Sequence, residues 1–215
     1  MDLKKKAAKV NLILTKIYPD PVSALIWHTP WEMFVSALLS AQTTDIQVNK
    51  ITKIFFTQLP SVQDVAKASW DELYSILRPV NYSRSKTSYV LEDAIRISSE
   101  FNGEIPSDMN TLLTFKGIGR KVANVIINDV YKAPVGIVVD THVKRVSNRL
   151  GLTKNSNPAK IEQDLMQIFA KDTWEKISHK FIFHGRTICI ARKPKCEICP
   201  LKMYCDYYQG LMKGS

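Results

Sequence analysis

Four cysteines near the C-terminus have the spacing of a metal-binding cluster. They follow the pattern C-x6-C-x2-C-x5-C, the chain has no other cysteine, and they are Cys189, Cys196, Cys199 and Cys205. Thiolates bind either a tetrahedral zinc ion or an iron–sulfur cluster. Zinc sites usually pair two C-x2-C arms, whereas the single C-x2-C here is flanked by wider gaps and fits a larger cluster better. A purely structural metal is the simplest interpretation of this group.

The loop between the first two cysteines, residues 190–195, carries three basic side chains, among them Arg192 and Lys193. A metal that holds this loop rigid would present these cations to a phosphate backbone. The clustering of all four cysteines argues against a disulfide scaffold, which spreads its bridges over the fold, and therefore predicts a reducing compartment.

A Gly-x-Gly turn between two predicted helices is a candidate phosphate-binding site. Gly117 and Gly119 allow the backbone to turn tightly and to approach a ligand, and Ile118 between them is predicted to point inward. The first N–H groups of the helix that follows lack partners inside the helix and attract anions. Such turns often only join two helices, but the cations Lys116 and Arg120 favour the phosphate interpretation.

Lys121 follows this turn and is a candidate nucleophile. Arg120, the positive helix end and partial burial would all favour its neutral amine, which forms Schiff bases at a sugar C1′. Judged by position alone, an exposed or phosphate-contacting lysine is the commoner outcome.

Asp140 is a candidate catalytic carboxylate at the end of the apolar run 137–139. Because it directly precedes a predicted helix, the simplest interpretation is an N-cap aspartate. The functional interpretation is a fixed carboxylate that stabilises positive charge on a deoxyribose as its base leaves, or that helps to activate the nucleophile. The two roles are compatible.

Composition indicates a basic globular protein. The 215 residues include 30 Lys and Arg against 20 Asp and Glu, which gives a net charge of +10 and suits a polyanionic partner. The N-terminus lacks the apolar core of a signal peptide, and the apolar stretch at 34–41 is too short to span a bilayer. We therefore expect a cytoplasmic protein, or a nuclear one if the source has a nucleus, with no membrane partner.

The elements that must position these residues are predicted to be helices, so the fold class is all-α. Thr29-Pro30-Trp31-Glu32 has the form of a capping box, and Ser61 and Ser69 resemble further helix starts. Helices are predicted over 86–100, 107–113, 120–131, 141–150, 158–169 and 173–185. The best strand candidate, 136–139, is too short and isolated to seed a sheet. An internal boundary is predicted at 132–134.

Four segments in one order resemble the endonuclease III family, bifunctional DNA glycosylases and AP lyases of the helix-hairpin-helix superfamily. They are Leu-Leu-Ser-Ala-Gln-Thr-Thr-Asp at 38–45, Gly-Ile-Gly-Arg-Lys-Val-Ala-Asn at 117–124, Val-Asp-Thr-His at 139–142 and His-Gly-Arg at 184–186, which leads into the cysteines. The resemblance runs nearly from end to end.

The resemblance implies that Lys121 is the Schiff-base nucleophile, that Asp140 is the essential carboxylate and that the four cysteines bind a [4Fe-4S] cluster. It implies that Gln42 fills the gap left by a flipped nucleotide, that Asp45 belongs to the damaged-base pocket, and that the loop with Tyr82 wedges into the helix opposite the lesion. The implied domains are a six-helix barrel domain with the helix-hairpin-helix at 23–134, and an iron–sulfur cluster domain formed by 1–22 and 135–215. The implied state is a monomer associated with the nucleoid through DNA.

The implied activity is base excision repair of oxidised pyrimidines in duplex DNA, with strand cutting at the resulting abasic sites by β-elimination. Two alternatives stay open: a glycosylase directed at T or U opposite G, and a non-catalytic iron–sulfur DNA-binding protein. The chain also departs from the family pattern. Lys116 stands where proline is usual, Asn81 where glycine is usual and Ser83 where an aromatic residue is usual, and these positions bear on substrate range.

Overall fold

The computed structural model describes residues 2–213, and every regular element in this range is helical. There are twelve α-helices and two short 3-10 turns, Lys171–Thr173 and Lys202–Tyr204. In chain order the α-helices are α1 Leu3–Ile17, α2 Pro30–Leu39, α3 Asp45–Gln58, α4 Val62–Lys67, α5 Trp70–Leu77, α6 Ser83–Glu100, α7 Met109–Leu112, α8 Arg120–Tyr131, α9 Thr141–Arg149, α10 Pro158–Ile168, α11 Trp174–Thr187 and α12 Asp206–Lys213. The all-α prediction is confirmed, and residues 136–139 form no strand.

The chain divides into two compact units. One runs from Ser23 to Ala133, and the other combines the residues up to Val22 with those from Pro134 onward. The first unit has a core built from α2 to α8, in which Phe34, Phe55 and Leu73 are fully buried. The second has its own core around α1, α9, α10 and α11. Each unit therefore buries its own apolar side chains.

Helix starts follow local capping chemistry. The hydroxyl of Thr29 accepts the Glu32 N–H at 3.2 Å and Pro30 opens α2, as predicted. The Glu32 carboxylate accepts the N–H of His28 rather than that of Thr29, so the predicted capping box is half formed. A complete box does cap α4, between Ser61 and Asp64.

Predicted helix ends differ from the observed ones by up to three residues. Helix α6 starts at Ser83 rather than at 86, after Tyr82 in a left-handed conformation. Helix α7 is capped by Asp108, one residue after the predicted start at 107, and α11 continues to Thr187 rather than stopping at 185.

None of the helices between residues 2 and 213 combines the length and the apolar character that a bilayer-spanning segment needs.

Candidate functional site

The turn between α7 and α8 needs its two glycines for different reasons. Gly117 has a φ of +71°, and a Cβ added there would lie 2.7 Å from the Tyr89 ring. Gly119 has an ordinary φ of −91°, and an added Cβ would meet no atom within 4 Å. Phe115 and Ile118 are buried beneath the turn, so the predicted inward position of Ile118 is confirmed. Gly117 thus shapes the turn, whereas Gly119 leaves an open surface.

The start of α8 is basic and is not capped by a side chain. Gly119 is its N-cap residue and can supply no capping group. Lys116, Arg120 and Lys121 are all exposed around this helix end. The partial burial predicted for Lys121 is therefore wrong. The positive helix end and the three cations form a surface suited to a phosphate.

Helix α6 holds the turn through side-chain hydrogen bonds that the sequence did not predict. The Asp93 carboxylate accepts the Lys116 N–H at 2.9 Å, and burial raises the pKa of Asp93 to about 7. Arg96 donates to the Thr114 hydroxyl at 2.8 Å and lies 4.6 Å from the centre of the Phe115 ring. The available sequence signal was Asp93 itself, a charged residue whose spacing from Val90 and Ile97 puts it on one face of the helix with them.

Asp140 caps α9, as its position predicted. Its Oδ1 accepts the N–H groups of His142 and Val143, both at 2.8 Å. Both bonds use the same oxygen, and the residue is half-buried. Burial lowers the pKa of His142, and the nearby Asp140 carboxylate opposes that shift. Asp140 belongs to the unit formed by the two chain ends, and Lys121 belongs to the unit at 23–133.

The four predicted cysteine ligands line one cavity. The cavity encloses about 380 Å³ of space not filled by atoms, part of it open to solvent. All four thiols are free of disulfides. In the described part of the chain no three Cys, His, Asp or Glu side chains are grouped to hold a lone metal ion. Four thiols around one shared cavity fit the donor set and the space requirement of an iron–sulfur cluster.

The surroundings of three of the four thiols disfavour the thiolate form. Burial is the main cause that raises the pKa of Cys196 and Cys205, and it raises that of Cys199 to about 11. Neighbouring thiolates push in the same direction, since like charges repel. The cationic iron of a cluster would supply the missing charge and bind the thiolates.

Two arginines of α9, missed by the sequence analysis, hold the first part of the cysteine loop. Arg145 donates to the Cys189 carbonyl at 3.0 Å. Arg149 donates to the Ile190 and Ala191 carbonyls at 2.8 and 2.9 Å, and its Nη1 lies 3.4 Å from the Cys189 Sγ. Their spacing of four residues was the visible signal. The helix that Asp140 starts therefore also supports the loop that carries Arg192 and Lys193, both exposed.

The remaining predicted residues lie on two segments of the first unit. Gln42 and Tyr82 are exposed and have φ values of +57° and +58°. Asp45 is half-buried at the first position of α3. The segments are bonded to each other, since the N–H of Asn81 donates to the Thr43 hydroxyl at 3.2 Å.

Two family models match the chain. Residues 35–171 match the HhH-GPD superfamily base excision DNA repair proteins. Residues 189–205, which run from the first to the last cysteine, match the iron-sulfur binding domain of endonuclease III.

Curated relatives and solved structures agree with these models. Endonuclease III of Synechocystis sp. is 40% identical over 96% of this chain and 94% of its own, and that of Bacillus subtilis is 34% identical over 92% and 91%. A non-covalent endonuclease III–DNA complex has a TM-score of 0.92 at 34% identity, covering 99% of this chain and 100% of that one. A trapped endonuclease III–DNA covalent intermediate has a TM-score of 0.88 at 34% identity, covering 96% and 98%.

Proposed function

The chain belongs to the endonuclease III family of base excision DNA repair proteins, and we propose that it removes oxidised pyrimidines from duplex DNA with Lys121 as its nucleophile. It is a DNA glycosylase with AP lyase activity and a [4Fe-4S] cofactor. The observation that carries the assignment of Lys121 is its position. Lys121 is an exposed lysine in the first turn of α8, just after the Gly-x-Gly turn along the chain. The chain is 34% identical to an endonuclease III trapped covalently on DNA.

The proposed reaction begins with the neutral amine of Lys121. Its nitrogen bonds to C1′ of the deoxyribose while the bond from C1′ to the base breaks, and the base leaves with the electron pair and takes up a proton. The nitrogen lone pair then expels the ring oxygen from C1′, and this oxygen takes up a proton, so that the opened sugar is held as a protonated Schiff base. Loss of a proton from C2′ then expels the 3′ phosphate by β-elimination, which cuts the strand.

We assign to Asp140 the stabilisation of positive charge on the sugar and the uptake of the proton that Lys121 must lose. Its cap bonds support this assignment because they fix the carboxylate while engaging one oxygen. A carboxylate oriented by two backbone N–H groups does not need to reorganise as charge develops.

We assign DNA binding to residues of both units. The turn residues Gly117 and Gly119, with Lys116 and Arg120, would bind a backbone phosphate, and Arg192 and Lys193 a second stretch of backbone. Extrusion of a base costs roughly a few kcal/mol, least for damaged pairs. Gln42 and Tyr82 would fill the space left in the stack, and Asp45 would contact the extruded base.

We assign Cys189, Cys196, Cys199 and Cys205 as the cluster ligands. Their thiolates would bind the iron, and Arg149 would stabilise the charge on Cys189 through its contact with the sulfur. The bound cluster supplies iron–thiolate bonds that hold residues 189–205 in one arrangement, so that Arg192 and Lys193 meet DNA in a fixed geometry.

The two compact units support the proposed domains. We propose that the unit at 23–133 is the helical barrel domain with the helix-hairpin-helix and that the other unit is the cluster domain. We also propose that the protein acts as a monomer on damaged or abasic duplex DNA, at the nucleoid in the cytoplasm.

A T- or U-specific mismatch glycosylase on the same fold is the second candidate. A thermostable thymine-DNA glycosylase has a TM-score of 0.85 at 20% identity, which shows that the fold is shared. Monofunctional relatives generally lack a nucleophilic lysine at this position, so Lys121 favours the bifunctional enzyme. A duplex with a G·T mismatch separates the two candidates by base release.

Borohydride trapping on a duplex with one thymine glycol tests the proposal. We expect a covalent protein–DNA adduct that disappears in Lys121→Ala, while that variant still binds the duplex. A matched control is Lys160→Ala, which removes another exposed lysine from the first turn of a helix, α10, and should trap normally.

If no adduct forms on thymine glycol, an abasic duplex in the same experiment shows whether the lesion class or the lyase chemistry is wrong. A signal on the abasic site alone means that the lyase chemistry is right and the lesion class is wrong. Adduct formation by Lys121→Ala at the wild-type rate would exclude Lys121 as the nucleophile.

A further inference from the structure

The two residues proposed to enter the duplex both have a left-handed backbone. Gln42 and Tyr82 have φ values of +57° and +58°, and neither is glycine or asparagine. This conformation is unfavourable for such residues, because it brings Cβ too close to the following carbonyl oxygen. Because both side chains are exposed, packing of the side chains does not hold the backbone in place. Other groups must therefore fix these two segments.

Lys86 in α6 holds the first segment. Its side chain is buried, and its ammonium donates to the carbonyls of Leu39 and Ala41 at 2.8 and 2.6 Å and to the Thr43 hydroxyl at 3.1 Å. These acceptors are neutral, and burial lowers the pKa of Lys86 to about 8. A buried cation with neutral partners is costly to keep. Its three bonds enclose the segment 39–43, in which Gln42 lies.

Asn81 joins the second segment to the first. Its backbone N–H donates to the Thr43 hydroxyl at 3.2 Å, the same oxygen that accepts from Lys86. Its side-chain amide donates to the carbonyl of Gln42. Glycine, the usual family residue at this position, has no side chain to make the second bond. The residue directly before Tyr82 is thus bonded to Gln42 itself.

We infer that Lys86 and Asn81 are positioning residues that hold Gln42 and Tyr82 together as one preassembled wedge. The inference rests on the proposed function of Gln42 and Tyr82. Two segments that are ordered before DNA binds can open the base stack without a further ordering cost, which would otherwise raise the barrier. Extrusion of an intact damaged base depends on the wedge, whereas an abasic sugar has no base to extrude.

The alternative is a purely structural role in which Lys86 only caps the C-terminal carbonyls of α2. That role predicts a loss of stability that affects all activities equally. The wedge role predicts a selective loss of base release and of stack opening.

The experiment compares Lys86→Met and Asn81→Gly with two matched controls. Lys180→Met removes another buried ammonium, which donates to Asn11 and Thr15 at 2.9 and 2.7 Å in the other unit. Asn49→Ala removes another asparagine that bonds loop backbone, at Ala24 and Ile26, without placing a glycine inside α3. Single-turnover base release from a thymine glycol duplex is measured beside cleavage of a preformed abasic duplex. Stack opening is read from the fluorescence of 2-aminopurine opposite the lesion.

We expect base release to slow about five- to tenfold in each wedge variant, the equivalent of about one lost hydrogen bond. Abasic cleavage should stay within about twofold of wild type, the rise in 2-aminopurine fluorescence should shrink, and the controls should match wild type in all three measurements.

Unchanged base release in both wedge variants would overturn the inference, and so would an equal fall in base release and abasic cleavage. Failure of the proposed function looks different, because the wild-type protein would then release no base. In that case the change in 2-aminopurine fluorescence on DNA binding still tests the inference. A rise in the wild-type protein that both wedge variants lose supports the inference, and an equal rise in wild type and variants overturns it.

Discussion

At the scale of single residues, Asp140 caps α9 and is also proposed to act in the reaction. The cap can be predicted from the sequence because capping depends on a residue and the three that follow it, and the bonds to His142 and Val143 confirm it. The burial of Lys121 was predicted wrongly because exposure depends on which distant segments pack over a helix end. The roles of both residues in the reaction stay predictions that substitution can test.

Asp140→Asn separates the cap from the catalytic role. Asparagine caps helices about as well as aspartate, so we expect the melting temperature to change little. Loss of the negative charge should slow base release by about 100-fold or more, the scale of a lost acid–base or electrostatic contribution. Thermal unfolding and single-turnover base release measure the two effects. Asp140→Ala is the control that loses both functions, and activity near the wild-type level in Asp140→Asn would leave only the cap.

Gly117→Ala should mainly lower stability, whereas Gly119→Ala should mainly weaken DNA binding. At Gly117 the left-handed backbone and the Tyr89 ring both oppose a methyl group, so the protein should lose about 1–3 kcal/mol of stability. At Gly119 the methyl group meets open space, so stability should change by less than about 1 kcal/mol while binding to duplex DNA weakens several-fold. Urea unfolding and fluorescence anisotropy measure the pair. Normal DNA binding by Gly119→Ala would show that no phosphate approaches there.

At the scale of elements, α6 connects the segments of the first unit to which we assign DNA contacts. Its first turn follows Tyr82, Lys86 reaches the segment at 39–43, and Asp93 holds the turn before α8. The sequence predicted the helix from its apolar spacing. It did not predict these bonds, because Lys86 and Asp93 bond partners that lie 23 to 47 residues away along the chain. The start at Ser83 was missed because Tyr82, a residue with no side-chain cap bond, precedes it.

Asp93 should make stability depend on pH. Burial raises its folded pKa to about 7 from 3.8, the nearby Glu92 adds to the rise, and Arg96 and Lys116 oppose it. Between about pH 4 and pH 7 the folded protein keeps a proton that the unfolded chain has lost, so this group lowers the free energy of unfolding as pH rises. In Asp93→Asn this slope disappears, while its amide oxygen can still accept the Lys116 N–H.

Urea unfolding at several pH values measures this effect of Asp93→Asn. The stability of the variant relative to wild type should grow by about 1–4 kcal/mol from pH 4 to pH 7 and then stay constant. Glu92→Gln, which removes the exposed neighbouring carboxylate, should show a much smaller change. A difference that does not vary with pH would mean that Asp93 titrates normally.

At the scale of the whole molecule, the sequence predicts the all-helical class, the positive net charge and the cysteine cluster. The first two properties sum the contributions of many residues, and the third rests on a fixed spacing along the chain. The two cores are a property of packing between distant segments, as α1 joins α10 and α11 across most of the chain. The support of the cysteine loop by Arg145 and Arg149 is of the same kind. The net charge of +10 favours DNA binding by the whole molecule. Substitutions in the cysteine loop test whether the location of the positive charge matters as well as its total amount.

The salt dependence of DNA binding distinguishes located charge from total charge. Each phosphate contact releases condensed counterions, so losing two contacts should make the slope of log K against log salt concentration less steep by up to about 2. We expect this for Arg192→Ala/Lys193→Ala on undamaged duplex DNA. The control Lys154→Ala/Lys160→Ala removes two exposed cations and lowers the net charge of +10 by the same two units. Equal changes in both pairs would mean that the cysteine loop acts only through total charge, whereas a flatter slope in the loop pair alone assigns it two phosphate contacts.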